Sequence, residues 1–127
     1  MRIIDMNTDP RKEHYAYFRG FPDPSVGLTV PCDITPLYGK KPFFLHILYC
    51  AMQAANSVPE LRRRIIGEQV VEYETCNSSH TVALPDGTYC YCELDCNMPL
   101  EEFLPAAQEQ VQKVKENPSI EEHEPQR

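Results

Sequence analysis

The sequence predicts an α/β domain in which helices pack on mostly antiparallel strands. Two pairs of short extended runs are each joined by a tight-turn sequence, and strands joined in this way are antiparallel. Three other segments carry helical signals: an N-terminal stretch, a long apolar stretch, and a late stretch with apolar residues at helical spacing. At 127 residues the chain has the length of one domain.

The first helix is predicted over residues 9–20. Asp9 can cap free N–H groups of the first turn, and Pro10 suits that turn because proline has no N–H to lose. Gly20 can adopt the left-handed conformation that ends a helix. A helix this short is marginal alone, so packing must hold it.

Aromatic side chains crowd the last turn of this helix. Tyr17 and Phe18 belong to it, and Phe21 follows just past its end. The aromatic rings either dock the helix on the domain, or Tyr17 and Phe18 form one wall of a ligand site. In the second interpretation Arg11 holds a carboxylate about one and a half turns away.

The middle of the chain predicts one strand and one helix. Alternation over Leu28 to Thr35 predicts a strand, at an edge or bulged because it contains Pro31. Residues 43–56 are apolar around nearly the whole helical wheel, which predicts a helix buried on more than one side. Within this helix Cys50 is expected to be a small core residue, and His46 a core imidazole rather than a base.

Two hairpins are predicted next. Residues 61–66 and 69–74 flank Gly67-Glu68, and residues 81–84 and 88–94 flank the turn sequence Pro85-Asp86-Gly87. The period of two along a strand places side chains of residues 88–94 on two faces. One face carries Cys90 and Cys92, and the other carries Tyr89, Tyr91 and Glu93.

The last helix is amphipathic and begins near Leu100 by its apolar spacing. Pro105 conflicts with a continuous helix, so the helix either starts near Leu104 or is kinked at the proline. We assign the domain to residues 1–116. Residues 117–127 are acidic and contain prolines, and this composition predicts a disordered tail.

Composition excludes several classes of partner. Net charge is −7, and basic residues are scattered apart from Arg62 to Arg64, so nucleic acid is not expected as a partner. No stretch has the apolar length of a membrane span, and the N-terminus lacks a signal-peptide core. We therefore expect a cytoplasmic protein without membrane contact, in which the six cysteines are thiols.

Motifs for catalysis or metal binding are weak. The late cysteines match the spacing of a structural zinc site only loosely, at Cys92 and Cys96, which favours thiols in the core or a cleft over a metal site. The sequence has no nucleophile-elbow, phosphate-loop or dinucleotide fingerprint. No histidine is paired by its sequence context with a nucleophile.

Five segments, in order, resemble the first half of the chloramphenicol acetyltransferase family. The resemblance covers roughly residues 1–115. Its pieces are the N-terminal helix motif at residues 11–15 with the aromatic pair at 17–18, the strand ending at Asp33-Ile34-Thr35, the apolar helix with its exit at residues 59–62, the strands at 81–82 and 89–94, and the helix at 103–115.

The resemblance implies an O-acetyltransferase that moves acetyl from acetyl-CoA to a hydroxyl of chloramphenicol or a related acceptor. It implies a two-layer α/β sandwich with a mixed, mostly antiparallel sheet, and a homotrimer with sites between subunits. Arg11 resembles the arginine that pairs with a buried aspartate and steadies the catalytic histidine. The acceptor pocket would be lined by Tyr17, Phe18, Pro22, Pro24, Cys90 and Cys92.

The family motif His-His-x-x-x-Asp-Gly, whose second histidine is the general base, does not occur in the sequence. The family also uses a serine that stabilises the tetrahedral intermediate. A general base and an oxyanion-stabilising group each typically raise the rate about 10²–10⁴-fold. We therefore expect this chain alone to be inactive. Three interpretations stay open: a truncated, split or partly sequenced acetyltransferase, a non-catalytic remnant that binds a ligand or partner, and an unrelated small binding domain.

Overall fold

A computed structural model describes residues 1–121 and contains helices and small antiparallel sheets. The elements in chain order are β1 (Arg2–Ile4), α1 (Lys12–Arg19), a 3-10 turn (Thr35–Leu37), α2 (Phe43–Ser57), a second 3-10 turn (Pro59–Arg62), β2 (Arg63–Ile66), β3 (Gln69–Glu72), β4 (Ser78–Ala83), β5 (Tyr89–Leu94) and α3 (Leu100–Glu116). The expected α/β class is confirmed. Every strand pair in the described part of the chain is antiparallel.

The first sheet has three strands in the order β1-β3-β2. The predicted turn at Gly67 joins β2 to β3. Gly67 has a positive φ of 59°, which residues with a side chain rarely adopt. The register places Arg2 and Arg63 on either side of Glu72. This arrangement sets up the ion pairs described below.

The second sheet is the predicted hairpin of β4 and β5, with Gly87 at φ 86° in its turn. Helices α2 and α3 cover one of its faces. The main core lies between them and is built from Leu45, Val82, Cys90, Cys92, Leu94, Cys96, Phe103 and Ala107. This packing confirms that Cys90 and Cys92 share a face of β5.

Two expectations near the N-terminus are wrong. Gly20 ends α1 with φ −76° and ψ −8°, so the chain leaves the helix through a right-handed turn and does not use the left-handed conformation. Residues 28–35 form no strand, because no neighbouring strand pairs with them, and Leu28 is 85% exposed. Asp9 does accept an N–H, from Arg11 at 2.8 Å, but in the turn before the helix.

Helix α2 is less buried than its composition predicts. Its buried residues are Leu45 and His46, while Phe43, Phe44 and Cys50 are exposed. The expectation of burial on several sides, with Cys50 in the core, is therefore wrong for the part of the chain that the structure describes. One side of α2 meets the core, Phe44 contacts His80 of β4, and Phe43 and Cys50 lie on the exposed surface of the helix. His46 is a core imidazole as expected, with Nδ1 2.8 Å from the Pro42 carbonyl oxygen.

Helix α3 starts at Leu100 and Pro105 lies inside it, so of the two alternatives the start near Leu104 is wrong. The amphipathic pattern is confirmed by the burial of Phe103 and Ala107. After α3 the chain returns to β5, where the Tyr91 N–H donates to the Ser119 carbonyl at 3.0 Å. Most of the predicted tail, residues 122–127, lies outside the described residues. Among residues 1–121, no helix combines the length and apolarity required to cross a membrane.

Candidate functional site

The aromatic residues at the end of α1 form a compact cluster. Tyr17, Phe18 and Phe21 contact one another edge to face, with ring centroids 5.0–5.5 Å apart. This spacing is favourable for aromatic pairs. Phe18 and Phe21 are about 40% exposed and Tyr17 is 66% exposed, so the cluster presents apolar surface to solvent.

A cavity of about 360 Å³ lies beside this cluster, between α1, the loop after it, and the sheet strands β2 and β3. We call it the α1 cavity. Apolar and aromatic side chains contribute much of its wall, and arginine, histidine and glutamate side chains complete it. The lining residues are Met6, Arg11, His14, Tyr15, Phe18, Arg19, Pro24, Glu60, Arg63, Arg64, Ile65 and Val70.

Two arginines that α1 and the turn before it contribute to the α1 cavity are each held by a carboxylate. Arg11 Nη2 lies 2.9 Å from Glu60 Oε1. Arg19 donates to Glu68 and to the Tyr15 hydroxyl, each at 2.7 Å. These partners offset the positive charges of Arg11 and Arg19 at the cavity wall.

Arg63 anchors α1 to the sheet. Its guanidinium lies 3.3 Å from Asp9 Oδ2 and 3.0 Å from Glu72 Oε2, and all three side chains are less than a fifth exposed. Arg2 donates to the second Glu72 oxygen at 3.0 Å. The hydrogen bond from Arg2, with that from Arg63, lowers the pKa of Glu72 despite the opposing effect of its burial. The charged network therefore fixes the loop before α1 against β2 and β3.

Cys90 and Cys92 lie elsewhere in the fold. Both have no exposed surface and face α3, where the Cys90 thiol donates to the Val114 carbonyl at 3.6 Å. Desolvation, with a smaller contribution from Cys90, raises the pKa of Cys92 to about 11. Such thiols are chemically inert at neutral pH. The opposite face of β5 carries Tyr89 and Tyr91, whose rings are 5.8 Å apart.

The structure brings together three of the residues that the sequence singled out: Arg11, Phe18 and Pro24 line the α1 cavity. Tyr17 contacts Phe18 but is not a lining residue of the cavity, and Pro22 lies in the exposed loop after α1. Cys90 and Cys92 are not brought to this cavity. Both thiols are fully buried, whereas the Phe18 ring is about 40% exposed beside the cavity.

Sequence reasoning missed the wall that the sheet contributes. Glu60, Arg63, Ile65 and Val70 come from the second 3-10 turn, β2 and β3. The basic run at residues 62–64 was a usable signal, since it interrupts an otherwise acidic chain. The sequence did not show that this basic run lies in the sheet that faces α1. In the described region, 1–121, no three His, Cys, Asp or Glu side chains are arranged to hold a metal ion.

No protein-family model matches this sequence. A search of curated proteins also finds no match.

Proposed function

We propose that this chain carries the acceptor-binding part of a chloramphenicol acetyltransferase-like enzyme. The reaction would transfer acetyl from acetyl-CoA to a hydroxyl of chloramphenicol or a related acceptor. The proposal rests on the resemblance of the sequence to that family. The observation that supports it is the α1 cavity, where Arg11, Phe18 and Pro24, all assigned to the site from sequence, line one space.

The lining of the α1 cavity suits an acceptor that contains an aromatic ring. Phe18, Tyr15, Pro24 and Ile65 offer apolar contact surface, and few polar groups interrupt it. The exposed ring of Phe18 provides an edge or face against which a ligand ring can pack. Carboxylate-paired arginines at the cavity can donate hydrogen bonds to a neutral ligand without demanding an anion.

In the proposed reaction the acceptor oxygen attacks the thioester carbonyl. A C–O bond forms, the C–S bond to coenzyme A breaks, and the hydroxyl proton passes through a base to the departing thiolate. The resemblance assigns that base to the second histidine of a His-His-x-x-x-Asp-Gly motif, which the 127 residues do not contain. Since a general base contributes about 10²–10⁴-fold, we expect this chain to bind acceptor without measurable turnover.

The resemblance implies that the active form is a homotrimer with sites between subunits. Unpaired apolar surface is consistent with such partners. Phe43 and Phe44 on α2 and Ile65 on β2 are each more than 40% exposed. Exposed apolar side chains such as these can become buried in an assembly.

A second candidate is a non-catalytic ligand-binding domain. One contact favours it: Arg11 is paired with Glu60 inside the chain, at 2.9 Å. The resemblance gives this arginine an aspartate partner from a segment that is absent. Because Glu60 already pairs with the Arg11 guanidinium, the cavity can form without the aspartate that the resemblance gives as the partner of Arg11.

Titration of the full 127-residue chain with chloramphenicol by calorimetry tests acceptor binding. Replacement of Phe18 by alanine should weaken binding about tenfold, because it removes a ring contact worth about 0.5–1.5 kcal/mol together with apolar area. Tyr38→Ala is the matched control, since Tyr38 is 86% exposed and lies outside the cavity. Saturable binding that Phe18→Ala leaves unchanged would contradict the placement of the acceptor, and absence of binding would contradict the proposal itself.

Turnover is measured with acetyl-CoA and chloramphenicol by mass detection of the acetylated product. A thiol reagent is unsuitable, because Cys32 and Cys50 are exposed and would react with it. Binding without turnover is the result expected for both candidates. Acetylation by the chain alone would overturn the role given to the missing histidine.

A further inference from the structure

A second cavity lies on the other side of the core, between the start of α2, strand β4 and helix α3. Its volume is about 430 Å³. We call it the His80 cavity. Its wall includes Phe44, Leu45, His80, Val82, Gln108 and Val111. It shares no lining residue with the α1 cavity, so the two spaces are independent.

Within residues 1–121, no carboxylate, ammonium or guanidinium group lines the His80 cavity. A charged ligand would lose its hydration there without gaining a counter-charge. Desolvation lowers the pKa of His80, so the imidazole is neutral at physiological pH. The cavity therefore favours an uncharged occupant.

His80 supplies unused hydrogen-bonding capacity at this wall. Its Nδ1 has almost no accessible surface and no hydrogen-bond partner within residues 1–121, so a small rotation of the imidazole ring is needed to bring this atom to the cavity. A buried polar atom without a partner destabilises the fold, so a ligand group that pairs with the ring is favoured. A neutral imidazole has one donor and one acceptor nitrogen, and a hydroxyl group can serve either because it both donates and accepts.

The apolar part of a ligand that best fits beside His80 is an aromatic ring. The Phe44 ring already packs on the imidazole, with centroids 5.1 Å apart and planes inclined by 54°. Phe44 is 53% exposed, so its free surface can be covered by a second ring. Leu45, Val82 and Val111 add aliphatic contact surface.

We propose that the His80 cavity is a second binding site, which takes a small uncharged aromatic molecule bearing one hydroxyl group. The hydroxyl pairs with the His80 imidazole, and the ring packs between Phe44 and the aliphatic wall. This site does not depend on the acceptor site at α1.

The test is a titration of the ¹⁵N-labelled full chain with phenol, followed by backbone and imidazole NMR signals. Saturable shifts are expected at Phe44, His80 and Val82. Benzene, which lacks the hydroxyl, should bind about tenfold more weakly, the loss expected for one hydrogen bond. In His80→Leu the affinity for phenol should fall to that of benzene, while the affinity for benzene should stay within about threefold.

Two further variants keep the result decisive. Val111→Phe should fill the space and abolish phenol binding, and this variant decides the outcome if His80→Leu does not fold. Tyr38→Ala, at an 86% exposed site outside both cavities, should bind phenol as the unaltered chain does. The proposal is overturned if phenol shifts do not saturate or map elsewhere, if benzene binds as tightly as phenol, or if Val111→Phe still binds phenol.

Discussion

The cysteines offer a direct test of where β5 faces. Cys32 and Cys50 are exposed, whereas Cys76, Cys90, Cys92 and Cys96 are buried. Iodoacetamide alkylates the thiolate form, so its rate at each site reports both the pKa of the thiol and its access to solvent. The native chain should therefore divide into two fast and four slow cysteines.

The expected rate difference is large for Cys92, whose pKa is raised to about 11. At pH 8 a thiol with this pKa is about 0.1% thiolate, while an ordinary exposed thiol with a pKa of about 8.5 is about 25% thiolate. Ionisation alone therefore slows Cys92 about 200-fold. The absence of any exposed surface on Cys92 slows it further.

Labelling uses a pulse of heavy iodoacetamide under native conditions, then light reagent after unfolding. Trypsin separates the classes, because cleavage after Arg19, Lys40 and Arg62 places Cys32 and Cys50 in separate peptides. The four buried cysteines fall together in residues 65–113, where fragmentation distinguishes them. In 6 M guanidinium chloride all six should label at similar rates.

Native labelling of Cys92 within about tenfold of Cys32 would refute this reasoning. It would mean that β5 turns this cysteine towards solvent. The face of β5 that bears Cys90 and Cys92 would then be available to a ligand, as the family resemblance implies. Slow labelling would leave Tyr89 and Tyr91 as the accessible side chains on that strand.

Two stability predictions follow from packing and charge. Phe103→Ala should lower the free energy of unfolding by about 3–5 kcal/mol in urea titrations, because Phe103 is 1% exposed and holds α3 on the core. The control is Val26→Ala, at an 89% exposed site. Equal losses of stability in the two variants would contradict the described core. Glu72→Gln should cost about 2 kcal/mol at pH 7, since it weakens charged hydrogen bonds from Arg2 and Arg63. The pKa of Glu72 is lowered in the fold, so the Glu72 carboxylate stabilises the fold above its unfolded-state pKa, and this stabilisation is lost as pH falls through the folded-state pKa. If Glu72→Gln still differs from the unaltered chain in free energy of unfolding at pH 2, that result would argue against the network.

Local signals predicted most of the regular structure. The turn sequences at Gly67 and Gly87 fixed both hairpins, because a positive φ at these positions is a local requirement. Apolar spacing located α3 and its buried residues Phe103 and Ala107. Arg11, Phe18 and Pro24, which the sequence singled out, lie close in sequence and line one cavity, and their role in a site stays a prediction.

Other features depended on distant parts of the chain. Residues 28–35 have the alternation of a strand, but a strand needs a hydrogen-bonded neighbour, and none is present in the described chain. Helix α2 is apolar on most sides, yet burial is a property of what surrounds a helix. The alternation along β5 separated the cysteines from the tyrosines without showing which set faces α3.

The sequence alone determined the α/β class, the two hairpins and the amphipathic α3, because turn geometry and side-chain periodicity are encoded over a few neighbouring residues. Only the tertiary structure decided that Cys90 and Cys92 are covered by α3, that Glu60 pairs with Arg11, and that His80 borders a second cavity. These facts depend on long-range contacts. Such contacts form where separate surfaces fit, which no local pattern specifies.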